Sequence, residues 1–197
     1  MSTPTEPGTQ TSLPRPLRRD AQRNRDRIVA AAAAAFADQG AAAQMDDVAR
    51  RAGVGVGTLY RHFPTKEALM AELVRRKFER IRDTALEALT VEDPWDAFAG
   101  MLRRDAEMLA EDATLRDALA RMPEAWATCE AERAEVAAVA SEVIARAQAA
   151  GVLRRDFGAD DIPMLMCGMS AAMGMPLDRG RDWRRLLEVV LDGLRLR

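Results

Sequence analysis

Aromatic side chains are scarce in this chain: Phe, Trp and Tyr together make up 5% of its 197 residues. Tyr60 is the only tyrosine and His62 the only histidine, and they flank Arg61. A hydrophobic core has no need of that trio, so its polar tips point to contact with something outside the molecule. Cysteine is scarcer than aromatics. Cys129 and Cys167 are the only two, far apart and in no metal-ligand spacing. They read as reduced thiols of a cytoplasmic protein, with no disulfide scaffold and no metal site. No apolar run reaches the roughly 18 residues that a membrane span needs. The opening MSTPTEPGTQTSLPRPLRR has no apolar stretch of the kind a signal peptide carries. Period-2 alternation is missing and β-branched residues are thin, so no sheet is expected.

Signatures of catalysis are missing too. HExxH, GxSxG, Walker and GxGxxG patterns do not occur, and no serine or cysteine lies near His62 in sequence. Asp160 and Asp161 are adjacent and therefore point to different faces of a helix. No catalytic residue and no cofactor is expected.

What is present is a helical, charged chain: 48% hydrophobic, 30% charged, mean hydropathy -0.24 and formal net charge -2. The charge is uneven. The first 82 residues hold 15 Lys and Arg against 9 Asp and Glu, and the rest hold 14 against 22. A basic reader joined to an acidic body would produce this asymmetry, and so would a chance distribution of solvated charges.

Residues 1–17 carry Pro4, Pro7, Pro14 and Pro16 among small polar residues and are expected to be a disordered tail. From Arg18 the pattern is helical to the C-terminus, which predicts an all-α protein of about nine helices. The first runs from about Arg19 to Gln39 and stops at Gly40, with Ile28, Ala32, Ala35 and Phe36 on one face. Arg18, Arg19, Arg23 and Arg27 crowd its N-terminal end against the helix dipole. That fits an anionic partner there, or ordinary surface arginine in a chain with just two lysines, Lys66 and Lys77. A long helix is expected from Thr65 to about Leu89, burying Leu69, Leu73, Val74, Phe78, Ile81 and Leu86. Further helices are expected near 95–111, 114–121, 123–150, 160–174 and 181–195, with Pro94 in a first turn.

Between the first two long helices lies QMDDVARRAGVGVGTLYRHFPTKEAL. Met45 to Ala52 forms a short helix with Asp46 and Asp47 in its first turn, where the dipole favours acids. Gly53 permits a sharp turn, and Gly55 or Val56 begins a second short helix that Pro64 ends. Val48, Ala52, Val54, Leu59 and Phe63 give the pair a shared interior. Val56, Gly57, Thr58, Tyr60, Arg61 and His62 remain on the outer side. Such a helix-turn-helix offers its second helix to the DNA major groove. Thr58, Tyr60 and His62 can donate to phosphate oxygens, and Lys66 together with the helix end it starts can hold another phosphate. Arg61 can read a guanine edge or neutralise phosphate.

Residue after residue, Met45 to Leu73 resembles the DNA-binding signature of TetR-family (TetR/AcrR-like) transcriptional regulators. The acid pair, the Ala-Gly-Val turn, Gly-Thr-Leu-Tyr, His-Phe and Lys-Glu-x-Leu are all in place, and IVAAAAAAFADQG matches the family's first helix. The resemblance fades after about Val74. It implies a helix-turn-helix domain over 18–64 and a larger helical ligand-binding and dimerisation domain over 65–197. It implies phosphate contacts by Tyr60, His62 and Lys66, and base or sugar contacts by Val56, Gly57, Thr58 and Tyr60. Two departures stand out. Gln44, itself a DNA-binding candidate, replaces a frequent capping Ser or Thr, and Gly55-Val56 replaces a frequent Ser followed by a polar or basic residue. Base readout would then rest on Val56 against a thymine methyl and on Arg61.

In the second half, Trp95, Phe98, Met101, Met108, Met122, Trp126, Met166 and Met169 are candidates for an adaptable apolar pocket, or for plain core packing. Gly168, Ala171 and Ala172 are small enough for close helix approach, and Leu187, Val190, Leu191 and Leu194 recur at helical spacing. The resemblance implies that these last two helices pair with their copies in a homodimer, whereas the residues alone fit the closing of a monomeric core equally. The expectation is a ligand-responsive homodimeric repressor that binds a pseudo-palindromic double-stranded DNA operator, is released by a small apolar effector, and has no membrane association. A helical binding module that no longer reads DNA is the competing expectation.

Overall fold

The computed structural model describes residues 15–111, 129–174 and 182–196. Eight α-helices lie among them, consistent with an all-α fold, and the expected helix at 114–121 falls outside the described residues. So do residues 1–14 of the expected tail. The helices are α1 Arg15–Gln39, α2 Met45–Ala52, α3 Val56–His62, α4 Lys66–Leu89, α5 Pro94–Glu111, α6 Glu130–Ala149, α7 Asp161–Gly174 and α8 Trp183–Leu194. Their ends follow local chemistry. Thr65 caps α4 by accepting from the Ala68 N–H at 3.1 Å. Asp93 accepts from the Asp96 N–H at 2.8 Å, which leaves Pro94 at a position where its missing N–H costs nothing. Asp182 caps α8 through the Arg184 N–H.

Two apolar cores share one long helix. The first gathers Ile28, Ala32, Ala35 and Phe36 of α1 with Val48, Leu59 and Phe63 and with Leu69, Met70, Leu73 and Val74 of α4. The second gathers Ala85 and Ala88 of α4 with the buried faces of α5 to α8, including Phe98, Met101, Met169 and Leu187. Because α4 serves two cores, no single stripe runs its length. Leu86, expected to be buried, is exposed, and Phe78 and Ile81 are half-buried. Met70, Glu72, Thr84, Ala85 and Ala88 are buried in addition to Leu69, Leu73 and Val74.

α6 lies alongside α4 and runs in the same direction. Cys129, just before α6, is buried with the first core and lies 3.9 Å from the Ala71 carbonyl oxygen. Farther along, Arg82 donates to Glu135 at 3.0 Å, and Arg146 donates to the carbonyls of Leu89, Val91 and Glu92 at the end of α4. The α6 segment thus meets the first half of α4 through Cys129 and the C-terminal end of α4 through Arg146. The described residues contain no strand, but Leu153 and Arg195 form an antiparallel bridge flanked by Arg154 N–H to Leu194 and Leu196 N–H to Val152. That bridge fastens the end of α8 to the segment after α6.

Candidate nucleic-acid interface

The turn between α2 and α3 is fixed by its backbone. Gly53 adopts φ +63°, the left-handed region that other residues enter at a cost. Its N–H reaches the Arg50 carbonyl at 3.2 Å and the Val54 N–H reaches Ala49 at 3.1 Å, the paired closure of a Schellman motif. Arg27 of α1 donates to the Gly53 carbonyl at 3.3 Å, so a Cβ at Gly53 would also meet the Arg27 guanidinium at 2.7 Å. Leu59 is fully buried beneath α3, and Val48, Ala52 and Phe63 surround it as the pattern predicted, with Val54 half-buried.

Among the described residues nothing covers the outer face of α3. Val56 is 43% and Tyr60 44% exposed, both large apolar groups left in solvent. Gly57 and Arg61 are exposed, and Thr58 and His62 half-buried. Arg61 Nε donates back to the Gly57 carbonyl at 3.1 Å, so its guanidinium lies along the same face. A Cβ on Gly57 would meet nothing within 4 Å. Nothing inside the fold demands glycine there, and glycine costs a helix interior about 0.5–1 kcal/mol against alanine.

Gln44, expected to be a weaker cap, makes no side-chain cap on α2 and donates instead to the Ala42 carbonyl at 2.9 Å. Two features of this region were not foreseen from the sequence. Lys66 Nζ, half-buried, donates to the Ala43 carbonyl at 2.7 Å and lies 5.4 Å from the centre of the Phe36 ring. Glu72, 5% exposed, receives Arg25 at 2.8 Å, Arg75 at 2.8 Å and Arg76 at 3.1 Å. Burial alone would push the Glu72 carboxyl up, but the hydrogen bonds from Arg75 and Arg76 and the charge of Arg25 outweigh it and hold the group below its usual range. Arg25 also lies 4.6 Å from the Phe63 ring centre, and Arg76 pairs with Asp26 at 2.6 Å. α1 is thus locked onto α4, and α3 rides on that block. A glutamate in the buried register of α4, with arginines three and four residues later, was the available signal for this hub.

The pocket candidates separate in the structure. Trp95, Phe98, Met101 and Met169 are buried in the second core, Met108 and Met166 are half-buried, and Met122 and Trp126 lie outside the described residues. Trp95 and Phe98 are 5.8 Å apart between ring centres, and Phe98 meets Phe157 edge-on at 5.6 Å. Asp105, on the same face of α5 as Phe98 and Met101, was missed. It is 8% exposed, and its Oδ1 has no hydrogen-bond partner. Burial pushes its carboxyl up to about 7, with the neighbouring Arg104 charge offsetting part of the rise. A groove of about 310 Å³ between α4 and α5 has Met108 in its wall.

Of the candidate interface residues on α7 and α8, Gly168 and Ala171 are exposed and Ala172 and Val190 half-buried. Leu187, Leu191 and Leu194 are not on the outer face but buried in the second core. Their burial fits the closing of the subunit's own core, the alternative that the spacing had left open. The outer apolar residues are Met164 (77% exposed), Leu186 and Val189 (58%). An open groove of about 520 Å³ between α7 and α8 is lined by Met164, Gly168, Leu186 and Val190 among others. Among the described residues no helix is long and apolar enough to cross a membrane, and no group of three or more His, Cys, Asp or Glu could hold a metal ion.

Comparison with known proteins agrees with this geometry. Residues 28–73 match the model of the bacterial regulatory proteins of the tetR family, and residues 93–196 match the C-terminal domain of SbtR-like transcriptional regulators. The chain is 37% identical to the HTH-type transcriptional repressor KstR of Mycolicibacterium smegmatis over 105 residues, 52% of each chain. It spans about half the length of the curated relatives it matches. Among solved structures it resembles a TetR transcription regulatory protein from Mycobacterium vanbaalenii, 36% identical over 92% of this chain and 100% of that one, with a TM-score of 0.69. It also resembles the TetR transcriptional regulator SCO0520 from Streptomyces coelicolor, 32% identical over 87% and 98%, with a TM-score of 0.66.

Proposed function

The chain belongs to the TetR family of bacterial transcriptional regulators, and we propose that it acts as a ligand-responsive homodimeric repressor in the cytoplasm. The observation that carries this reading is the outer face of α3, where Val56, Gly57 and Tyr60 stand uncovered on a rigid block. In the proposed complex α3 lies in the major groove. Thr58, Tyr60 and His62 donate to phosphates, Arg61 reaches a guanine edge or a phosphate, and Val56 touches a thymine methyl. Gly57 lets the backbone come close to the duplex. Lys66, already turned toward the Ala43 carbonyl, adds positive charge at the start of α4.

Two such heads, related by a two-fold axis through α7 and α8, would read a pseudo-palindromic operator. A small, largely apolar effector in the C-terminal domain would release it by shifting α4, to which α6 is fastened at both ends. Such release requires the effector to bind one arrangement better than the other. Repression rather than activation is favoured by relatives described as repressors.

Selection of random duplex DNA by the purified protein, followed by a salt titration on the selected duplex, tests the reading. A palindromic consensus whose affinity falls steeply with salt is the expected result. No enrichment over a Tyr60→Ala, Gly57→Glu double variant overturns it.

A further inference from the structure

Two acids are buried among the described residues, and they are treated in opposite ways. Glu72 has three guanidinium partners. Asp105 has an Oδ1 closed off from solvent with no hydrogen-bond partner, on a helix face otherwise given to Phe98, Met101 and Leu102. A lone carboxylate in such surroundings is strongly disfavoured until a donor or a positive charge reaches it. The surroundings can also make room. Met101 lies one turn before Asp105 and Met108 one turn after, and unbranched thioether side chains repack at low cost.

A second feature points to the sign of the missing partner. Met108 lies in the wall of the groove between α4 and α5, where Asp83, Glu87, Glu107 and Glu111 outnumber Arg80 and Arg104. On an α-helix Met108 and Asp105 are separated by roughly 60° of rotation and one turn. Met108, half-buried and one turn from Asp105 on the same helix, is part of the wall of that acid-rich groove. A groove of that charge concentrates cations and repels anions.

We propose that Asp105 is the acidic anchor of the effector site, and that the effector is an apolar molecule bearing a single protonated amine. The ammonium donates to Asp105 Oδ1, and the apolar body packs among Met101, Met108 and the aromatic side chains of α5. This rests on the regulator reading for its consequence, release from DNA, but not for the binding itself.

The test is a matched set of probes, decylamine, decanol and decanoate, titrated below their aggregation limits against wild-type protein and followed by thermal shift and calorimetry. Decylamine is expected to bind wild type at least tenfold more tightly than decanol, and decanoate more weakly than either. Asp105→Asn is expected to bind decylamine and decanol alike, and Asp105→Glu to keep the amine preference. Equal binding of amine and alcohol to wild type, an amine preference that survives Asp105→Asn, or no binding by any of the three overturns the anchor. The same samples are assayed on the selected duplex. Amine binding through Asp105 without release of DNA leaves the anchor standing and removes the effector reading.

Discussion

Lys66 Nζ lies 2.7 Å from the carbonyl oxygen of Ala43, so the first residue of α4 fastens the chain that enters α2. It bridges the two ends of the helix-turn-helix and lies over the Phe36 ring of α1. A charged hydrogen bond to a half-buried carbonyl contributes about 1.5–3 kcal/mol. Lys66→Met keeps the stem and removes the donor. It is expected to lower stability by roughly 1–2 kcal/mol in urea denaturation with an unchanged m-value, since a half-exposed pair is partly screened. A lysine serving phosphate alone would leave the denaturation midpoint where it is.

Gly57 gives the sharpest separation of stability from function. A methyl group there meets nothing within 4 Å and the residue sits in a helix, so Gly57→Ala should raise stability by about 0.5–1 kcal/mol. If α3 lies against a duplex, the same methyl group collides with DNA. Affinity for the selected duplex is then expected to fall tenfold or more while the melting temperature rises. A variant that is more stable and binds DNA equally well would remove Gly57 from the interface.

Tyr60 is exposed and has few ties to the core, so Tyr60→Phe should leave stability within about 0.5 kcal/mol. It removes one hydroxyl donor to phosphate and no charge. The affinity should drop several-fold across all duplexes, with the slope of log affinity against log salt unchanged. Arg61→Gln should reduce that slope by about 1 if its guanidinium meets phosphate. Loss on one family of sequences instead would assign Arg61 to base reading.

Much of the DNA-reading half was legible because its signals are local. Gly53, the acids at Asp46 and Asp47, and the stop at Pro64 act over a few residues, and the predicted bounds of α2 and α4 agree with the structure to within a residue. What was hidden depends on distant partners. Glu72 gains its meaning from Arg25, 47 positions earlier, and Lys66 from Ala43. In the second half, periodicity identified the apolar residues of α8 but not the side they face, because Leu186 and Val189 are as apolar as Leu187 and Leu191. Asp105 reads as an ordinary surface acid between Arg104 and Ala106 until the packing of α5 turns it inward.

The buried carboxyl of Asp105 makes a pH prediction. Its value of about 7 in the fold exceeds the 3.8 of an exposed aspartate, so the folded state holds this proton more tightly than the unfolded chain does. Stability from this group is therefore full below about pH 4 and is lost as pH rises through about 7. At 1.36 kcal/mol per unit, the loss is on the order of 4 kcal/mol. Asp105→Asn cannot ionise and should lose none of it. Urea denaturation from pH 4 to 8 should show wild type weakening relative to Asp105→Asn up to about pH 7, with the two converging near pH 4. Parallel curves would mean that a partner already satisfies Asp105 in solution.

The α7–α8 face supplies the last prediction, because neighbouring residues on one helix have opposite tasks. Leu187 is 1% exposed and lies in the core, whereas Val189 is 58% exposed, and Met164 on α7 is 77% exposed. Leu187→Ala should cost about 2–5 kcal/mol of stability whatever the oligomeric state. Val189→Lys combined with Met164→Lys removes apolar surface that the subunit does not bury for itself, and adds like charge to any two-fold contact. Sedimentation at micromolar concentration should then show a folded monomer in place of a dimer. Affinity for a palindromic duplex should fall by orders of magnitude, because two linked heads bind as one unit. Affinity for a single half-site should stay as it was. If the double lysine variant remains dimeric, the subunits meet through a different face and the two-fold axis must be moved.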